Sequence, residues 1–167
     1  MVDNAPLRGR IAPIKLLLTD VDGVLTDNGV YYTDQGEAAK RFSIRDGMGV
    51  DRLRKLRSVE TGIITGETSV SVTHRAAKLG IVELHIGISD KYNTLLQILE
   101  RRNLTWDEVA YIGDDFNDIE VLRAVGFSAC PADAMPPVIN VSHYWCRHNG
   151  GQGAFRELAE LIIEYKP

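Results

Sequence analysis

The amino-acid sequence predicts an α/β fold, a three-layer Rossmann-like arrangement in which a mostly parallel sheet carries helices on both faces. The first supporting observation is the apolar run at residues 14–19 (IKLLLT), which ends in a cluster of Asp and Gly, as a strand buried on both faces does. The second is that strand-like and helix-like segments alternate along the rest of the chain. This alternation favours parallel strands joined by right-handed helical crossovers.

The individual elements follow from local patterns. Residues 29–44 predict a β-hairpin, because GVYYT and AKRFSI flank a polar turn. Apolar residues at helical spacing predict a helix over 47–58, and βα units then continue to the end of the chain. The expected order is a strand at 62–65, a helix at 69–79, a strand at 82–86, a helix at 91–102, a strand at 109–112, a helix at 117–124, a strand at 127–130 and a last helix at 153–165.

The predicted domain organisation is simple. Residues 1–13 are expected to be a flexible leader, because Pro6, Gly9 and Pro13 interrupt regular structure. Residues 14–167 are expected to form a single catalytic α/β domain, since the chain has an ordinary single-domain length and no internal linker or repeat.

Composition excludes several classes of function. A net charge of −4 offers no broad basic surface for nucleic acid, and the longest apolar runs are too short to span a membrane. Cys130 and Cys146 form neither a disulfide framework nor a zinc motif, so a cytoplasmic location is the expectation. Any anionic substrate must therefore be held by a local site.

Four polar clusters follow predicted strands, where the carboxyl ends of parallel strands bind ligands. Such a concentration of carboxylates in one cleft requires a cation, and oxygen ligands at this density favour Mg²⁺. The predicted metal ligands are Asp20, Asp22 and Asp114, with Asp115 and Asp118 in support.

The same clusters predict phosphoryl-transfer chemistry. Asp20 is the expected nucleophile, which would form an aspartyl-phosphate, and Asp22 is the expected general acid and base. Thr65 and the backbone N–H of Gly66 can bind phosphoryl oxygens, while Lys91 adds a positive charge.

The motifs DVDGVLT, ITG, Lys91 and GDDFND resemble, in type and order, those of the haloacid dehalogenase phosphohydrolases. The resemblance implies the nucleophile, acid/base and magnesium-ligand roles for Asp20, Asp22 and Asp114. The segments DVDGVLTDN, FSIRDGMGV and GGQGAFRE are similar to those of the cap-less subgroup, which dephosphorylates 3-deoxy-2-ulosonic acid phosphates. This subgroup resemblance implies sugar-acid biosynthesis, as for lipopolysaccharide. It also implies a homotetramer in which the hairpin and the tail at 149–156 bring subunits together, with the tail near a neighbouring active site.

The substrate is the open question at this level. Many octulosonate phosphatases carry a basic residue where Gln152 stands. Glu67, Arg75 and Lys78 resemble the corresponding set in nonulosonate (KDN or sialate) 9-phosphate phosphatases, so these residues are expected to bind substrate together with Thr65, Gly66 and Lys91. The sequence thus favours a nine-carbon substrate, with 3-deoxy-D-manno-octulosonate 8-phosphate as the alternative.

Two hypotheses in which the protein is not an enzyme remain for comparison. A receiver-like phospho-acceptor domain also has paired Asp, Thr and Lys around a parallel sheet, but its acidic pair precedes its phospho-acceptor Asp and it lacks DxDG. An assembly module of a sialate cytidylyltransferase would not need the intact set Asp20, Asp22, Lys91 and Asp114. The sequence therefore favours a phosphoric monoester hydrolase.

Overall fold

The computed structural model of the protein describes residues 5–167. Six strands form one parallel sheet in the order β5-β4-β1-β6-β7-β8, and a separate antiparallel pair, β2-β3, forms the hairpin after the first strand. This arrangement confirms the predicted fold class. The strands are β1 Leu16–Thr19, β2 Thr26–Thr33, β3 Gly36–Phe42, β4 Glu60–Ile64, β5 Glu83–His85, β6 Val109–Ile112, β7 Phe127–Cys130 and β8 Tyr144–Trp145.

Seven α-helices and two 3₁₀ turns connect the strands within the described residues. The residues immediately after several helices explain where those helices stop: Ser58, Gly80 and Asn103 adopt left-handed backbone angles and return their N–H groups to the last turn. The helices are α1 Ala5–Ile11, α2 Ile44–Arg57, α3 Val70–Leu79, α4 Lys91–Arg102, α5 Ile119–Ala124, α6 Pro136–Ile139 and α7 Ala154–Tyr165.

The core lies in two layers, one on each face of the sheet. On β1, Leu17 packs into the cluster that contains residues of α1, α2, α3 and α7, whereas Leu16 and Leu18 face the cluster formed with α4, α5 and α6. Since alternate residues of a strand point to opposite faces, a run such as LLLT can be buried completely only between two helical layers.

The structure corrects the predicted leader. Residues 5–11 form α1 rather than irregular chain, and Ile11 is fully buried in the core. Pro6 is tolerated because it falls in the first turn, where a helix has no use for its missing N–H, and burial of Ile11 outweighs the weak helix propensity of Gly9. Residues 1–4 of the predicted leader lie outside the described part of the chain.

The position of β1 explains where the site forms. β1 pairs with β4 on one side and β6 on the other, and Thr19 is level with both Ile63 and Ile112. The connections on the two sides lead in opposite directions, so a crevice opens beyond the carboxyl end of β1. Within residues 5–167, no helix combines the length and the apolar character needed to cross a lipid bilayer.

Candidate active site

A cleft of about 480 Å³ opens at the carboxyl ends of β1, β4 and β6. Five carboxylates belong to its lining, on Asp20, Asp22, Glu67, Asp114 and Asp115. The lining also includes Thr65 and Gly66 after β4, side chains of the hairpin, and the loop after β6. The sequence-predicted clusters at Asp20, Thr65 and Asp114 therefore meet in one place.

Asp20 is the first residue after β1 and is almost completely buried. Its Oδ1 atom accepts the backbone N–H of Val21 at 2.7 Å, and its Oδ2 atom lies 2.7 Å from Nζ of Lys91. Burial and the neighbouring Asp118 together raise the pKa of Asp20 to about 6, although Lys91 opposes them. A carboxylate held this way is fixed in orientation, and its raised pKa shows that Lys91 alone does not offset the burial of its negative charge.

Lys91 begins α4 and lies beneath the floor of the cleft, with a side chain only 1% exposed. Its ammonium group bridges Asp20 and Asp118, each at 2.7 Å. Burial alone would lower the pKa of Lys91, but the two carboxylates outweigh burial and raise it. Lys91 therefore remains a cation, and it pairs with Asp20 from below instead of lining the open cleft as a phosphate-binding residue.

Asp118 is a fully buried carboxylate whose two oxygens are both engaged. Oδ1 accepts hydrogen bonds from Lys91 and from the hydroxyl of Tyr111, and Oδ2 accepts the backbone N–H groups of Asp114 and Asp115. The predicted supporting role fits this geometry, because Asp118 orients the loop that carries Asp114.

The residues present fit a hard divalent cation. Asp20, Asp114 and Asp118 each offer a carboxylate oxygen, and these oxygens lie within 4.8 Å of one another. Burial, reinforced by Asp20 and Asp118, raises the pKa of Asp114 to about 7. A cluster of oxygen donors in which burial and neighbouring carboxylates disfavour the ionisation of Asp20 and Asp114 is the donor set that Mg²⁺ satisfies.

Asp22 has a different environment from the other acidic residues. It is not part of the group of three, and its Oδ2 atom lies 2.5 Å from Nζ of Lys40 on the hairpin. Its Oδ1 atom accepts the hydroxyl of Thr26 at 3.1 Å. The structure thus places the Asp22 carboxylate in an ion pair at the cleft wall, which suits an acid/base role better than the predicted role of metal ligand.

The backbone conformation and close packing at residue 23 explain why the DxD motif is followed by glycine in this chain. Its φ is +78°, and a side chain at this position would overlap the carboxylate of Asp114. Only glycine permits both the left-handed turn and this close approach. The glycine thus lets the turn after β1 fold close beside Asp114.

The remaining predicted substrate residues divide into two sets. Glu67 lies at the cleft beside Thr65, whose hydroxyl oxygen accepts the backbone N–H of Glu67 at 3.3 Å. Arg75 and Lys78 instead border a separate depression between α2 and α3. Arg75 donates to the carbonyl of Ser43 at 2.7 Å. Within one chain, the structure does not bring Arg75 and Lys78 to the cleft.

Sequence reasoning missed three residues that belong to the site. Lys40 pairs with Asp22, Asn28 donates to Oδ2 of Asp114 at 3.3 Å, and Tyr111 supports Asp118. Asn28 has a φ of +61°, and the dipeptide Asn28-Gly29 is the local signal that indicates a turn there. The sequence pattern around Tyr111 indicates only a core strand, and the pattern around Lys40 indicates a solvated hairpin residue.

The tail loop packs against the turn that carries Asp22. The backbone N–H of Gly151 donates to the carbonyl of Val24 at 2.8 Å, and a Cβ at Gly150 would overlap the carbonyl oxygen of Gly23. Only a glycine can approach another backbone this closely. The tail therefore contacts the turn after β1 of its own chain.

Comparisons with known proteins agree with this geometry. Residues 57–158 match the family described as haloacid dehalogenase-like hydrolase. The 3-deoxy-D-manno-octulosonate 8-phosphate phosphatase of Yersinia pestis is 42% identical over 154 residues, which are 92% of this chain and 82% of that protein. The family match covers more than half of the chain, and the similarity to the Yersinia pestis protein extends over almost all of it.

Two solved structures are also similar. The phosphatase of the same name from Moraxella catarrhalis, in complex with a magnesium ion, a phosphate ion and a KDO molecule, has a TM-score of 0.93 and 34% identity over 98% of this chain and 93% of that chain. The cobalt-bound deoxy-D-mannose-octulosonate 8-phosphate phosphatase of Haemophilus influenzae has a TM-score of 0.90 and 35% identity over 94% of this chain and 91% of that chain. Both relatives thus hold a divalent cation in the same fold.

Proposed function

The chain belongs to the haloacid dehalogenase-like hydrolases, and from this premise we propose that it hydrolyses 3-deoxy-D-manno-octulosonate 8-phosphate in a magnesium-dependent reaction. The observation that carries the proposal is the convergence of Asp20, Asp22, Lys91 and Asp114 on one cleft, in a chain about 40% identical to phosphatases of that substrate. Neither a receiver-like phospho-acceptor nor an inactive assembly module accounts for both facts.

The eight-carbon substrate replaces the nine-carbon substrate that the sequence favours. The similar phosphatases are named for the octulosonate, and the Moraxella catarrhalis structure contains KDO. The argument for a nonulosonate depends on Glu67, Arg75 and Lys78 acting together. Arg75 and Lys78 border a depression away from the cleft of their own chain, so this set could act together only if a neighbouring subunit supplied Arg75 and Lys78.

In the first step, a carboxylate oxygen of Asp20 attacks the phosphorus atom of the substrate. The bond between phosphorus and the sugar oxygen breaks, and the leaving oxygen takes a proton from Asp22. The hydroxyl of Thr65 and the backbone N–H of Gly66 donate hydrogen bonds to the phosphoryl oxygens. The products of this step are the free sugar acid and an aspartyl-phosphate on Asp20.

In the second step, water attacks the phosphorus atom of the aspartyl-phosphate. Asp22 takes a proton from the attacking water, and the bond between phosphorus and the Asp20 oxygen breaks to release inorganic phosphate. Asp22 has then regained the proton that it gave away. Asp20 and Asp114, with Asp118 orienting them from behind, would hold the Mg²⁺ ion, which would supply positive charge next to the phosphoryl oxygens.

The proposal extends to assembly, because the cleft has no covering domain. A homotetramer built through the β2-β3 hairpin and the tail would provide the missing enclosure. Exposed Tyr31 and Tyr32 on β2 support an interface there. Sedimentation of the protein at micromolar concentration tests this part, and a monomer with full activity would refute it.

The substrate assignment is tested by comparing kcat/KM for 3-deoxy-D-manno-octulosonate 8-phosphate and a nonulosonate 9-phosphate, with Mg²⁺ present. We expect the octulosonate to be preferred by about tenfold or more, which corresponds to about 1.4 kcal/mol in transition-state binding. Glu67→Arg is the informative variant, since Glu67 lies in the cleft next to Thr65. A preference of the wild type for the nonulosonate, reduced by Glu67→Arg, would overturn the assignment.

A further inference from the structure

One lysine of β3 is buried in the wall of the cleft, although most residues of this strand are exposed. Lys40 is the buried residue of β3, and its side chain has no exposed surface although it borders the cleft. A lysine side chain normally reaches for solvent, so its burial requires a specific partner. That partner is Oδ2 of Asp22 at 2.5 Å.

The Asp22 carboxylate is held at both oxygens by residues that flank the hairpin. Thr26, at the start of β2, donates to Oδ1 at 3.1 Å, and Lys40 of β3 donates to Oδ2. A carboxylate fixed at both oxygens has one orientation relative to Asp20 two residues earlier. The hairpin thus does more than cover one edge of the cleft.

Lys40 also differs from the other lining residues of the cleft in its charge. Five carboxylates line the cleft, and among the described lining residues Lys40 carries the only positive side chain, since Lys91 lies beneath the floor. The substrate is an anion. A cation next to Asp22 stands beside the oxygen that leaves phosphorus, where negative charge develops as the ester bond breaks.

We propose that Lys40 is a positioning residue that, together with Thr26, fixes the Asp22 carboxylate for proton transfer at the leaving-group oxygen. The inference rests on the proposed phosphatase function and on its assignment of Asp22 as acid and base. Lys40 acts through Asp22, so its importance depends on how much the leaving oxygen needs a proton. An acidic phenol leaves without help, whereas an alcohol does not.

The experiment uses full-length enzyme with Mg²⁺ and a series of phenyl phosphates whose phenols range from strongly to weakly acidic. Single-turnover release of the phenol reports on the first chemical step alone. In Lys40→Met we expect phenol release to be nearly unchanged for the most acidic phenol and to fall by about 100-fold for the least acidic one, within the usual contribution of general acid catalysis. Lys40→Arg should restore much of the loss.

Arg41→Met is the matched control. Arg41 is the next residue of β3 and also pairs with an aspartate, Asp27, at 2.7 Å, but it is exposed and lies outside the cleft lining. It should leave the dependence on the phenol unchanged. Lys40→Met in an Asp22→Asn background should cause little further loss, because a positioning residue has no effect once its partner cannot transfer a proton.

Three results would overturn the proposal. Equal losses across the phenol series would make Lys40 a phosphate-binding residue, additive losses with Asp22→Asn would separate it from Asp22, and no loss would remove any role. If Lys40→Met does not fold, Lys40→Gln supplies the same comparison. A wild type that hydrolyses the phenyl phosphates but not the octulosonate refutes only the substrate assignment, whereas one that hydrolyses neither refutes both.

Discussion

The hydroxyl of Tyr111, in the middle of buried strand β6, donates a hydrogen bond to Oδ1 of Asp118 at 2.5 Å. Both residues are fully buried, and burial together with the nearby carboxylates raises the pKa of the Tyr111 hydroxyl well above its ordinary value. The hydroxyl therefore stays protonated and is a permanent donor. It stabilises the negative charge of Asp118 from the side facing away from the cleft.

Asp118 should consequently matter more for stability than its acidic neighbours do. Asp118→Ala leaves Lys91, the Tyr111 hydroxyl and two backbone N–H groups without their shared acceptor, and breaking a buried ion pair costs about 3–5 kcal/mol. Asp115→Ala removes an exposed cap at the start of the short 3₁₀ turn at residues 116–118 and should cost clearly less. Urea unfolding measures both, and equal losses would contradict the assignment.

Asp20→Asn should separate catalysis from stability. We expect phosphate release to fall by at least about 100-fold, because the nucleophile is lost. Stability without Mg²⁺ should not decrease, since burial already disfavours the charged form of Asp20 and raises its pKa to about 6. Phosphate release and thermal unfolding of the same samples measure the two effects. A loss of activity below about tenfold would exclude covalent catalysis by Asp20.

Bound Mg²⁺ should increase the stability of the folded protein as well as activate the enzyme. The charges of Asp20 and Asp114 are disfavoured by burial and by each other, and the cation relieves both. Excess EDTA should abolish activity, and Mg²⁺ at about 100 times its dissociation constant should add about 2.7 kcal/mol of stability. Thermal unfolding with and without Mg²⁺ measures this. An equal shift in Asp20→Asn/Asp114→Asn would place the ion elsewhere.

Glu157 on α7 should make stability depend on pH in acid. Partial burial opposes its ionisation, but hydrogen bonds from His148, Tyr144 and two backbone N–H groups outweigh burial and lower its pKa below the ordinary value of 4.5. A lowered pKa stabilises the fold above the unfolded-state value, and this contribution is lost as pH falls through the lower folded-state value. The stability difference between wild type and Glu157→Gln should therefore shrink as pH falls below about pH 4.5.

Denaturant unfolding of the two proteins at a series of pH values checks this expectation. Glu164→Gln is a suitable control, because Glu164 lies about two turns further along α7, near its end, and receives none of these hydrogen bonds. A difference between wild type and Glu157→Gln that grows towards acid would have the wrong sign and would refute the assignment.

Gly150→Ala should reduce activity although it lies far from the catalytic residues in sequence. The added methyl group would overlap the carbonyl oxygen of Gly23, so the tail or the turn beside Asp22 must move. We expect at least about a tenfold loss in kcat/KM, since a small misplacement of a catalytic group is costly. Gly9→Ala is the control, because nothing lies near its added methyl group. Unchanged activity in Gly150→Ala would show that the turn tolerates the displacement.

Much of the fold could be predicted because its signals are local. The helix at 91–102 and the strands at 109–112 and 127–130 coincide with α4, β6 and β7. The expectation of irregular chain at residues 5–11 is wrong, because α1 is stabilised by the packing of Ile11 rather than by local helix propensity. The short β8 was not predicted, because a two-residue strand exists only through its pairing with β7.

The candidate site also contains some residues that could be predicted from the sequence and others that could not. Asp20, Thr65 and Asp114 follow strands and were predictable from the end of each strand. Lys40 was not, because its role depends on the path by which the hairpin returns over Asp22, and no local pattern specifies that path. The placement of Arg75 and Lys78 also depends on tertiary packing, which turns α3 away from the cleft.

The contact between the tail glycines and the turn after β1 has a consequence for biosynthesis. Residues 150 and 151 leave the ribosome more than a hundred residues after Asp20 and Asp22, yet they pack directly on the turn that carries Asp22. A nascent chain can form the β1-β4-β6 part of the sheet before those glycines emerge. The turn that carries Asp22 therefore cannot reach its finished form until residues 150 and 151 have emerged, and a product terminated before them would carry the Asp20 and Asp22 motif without that support.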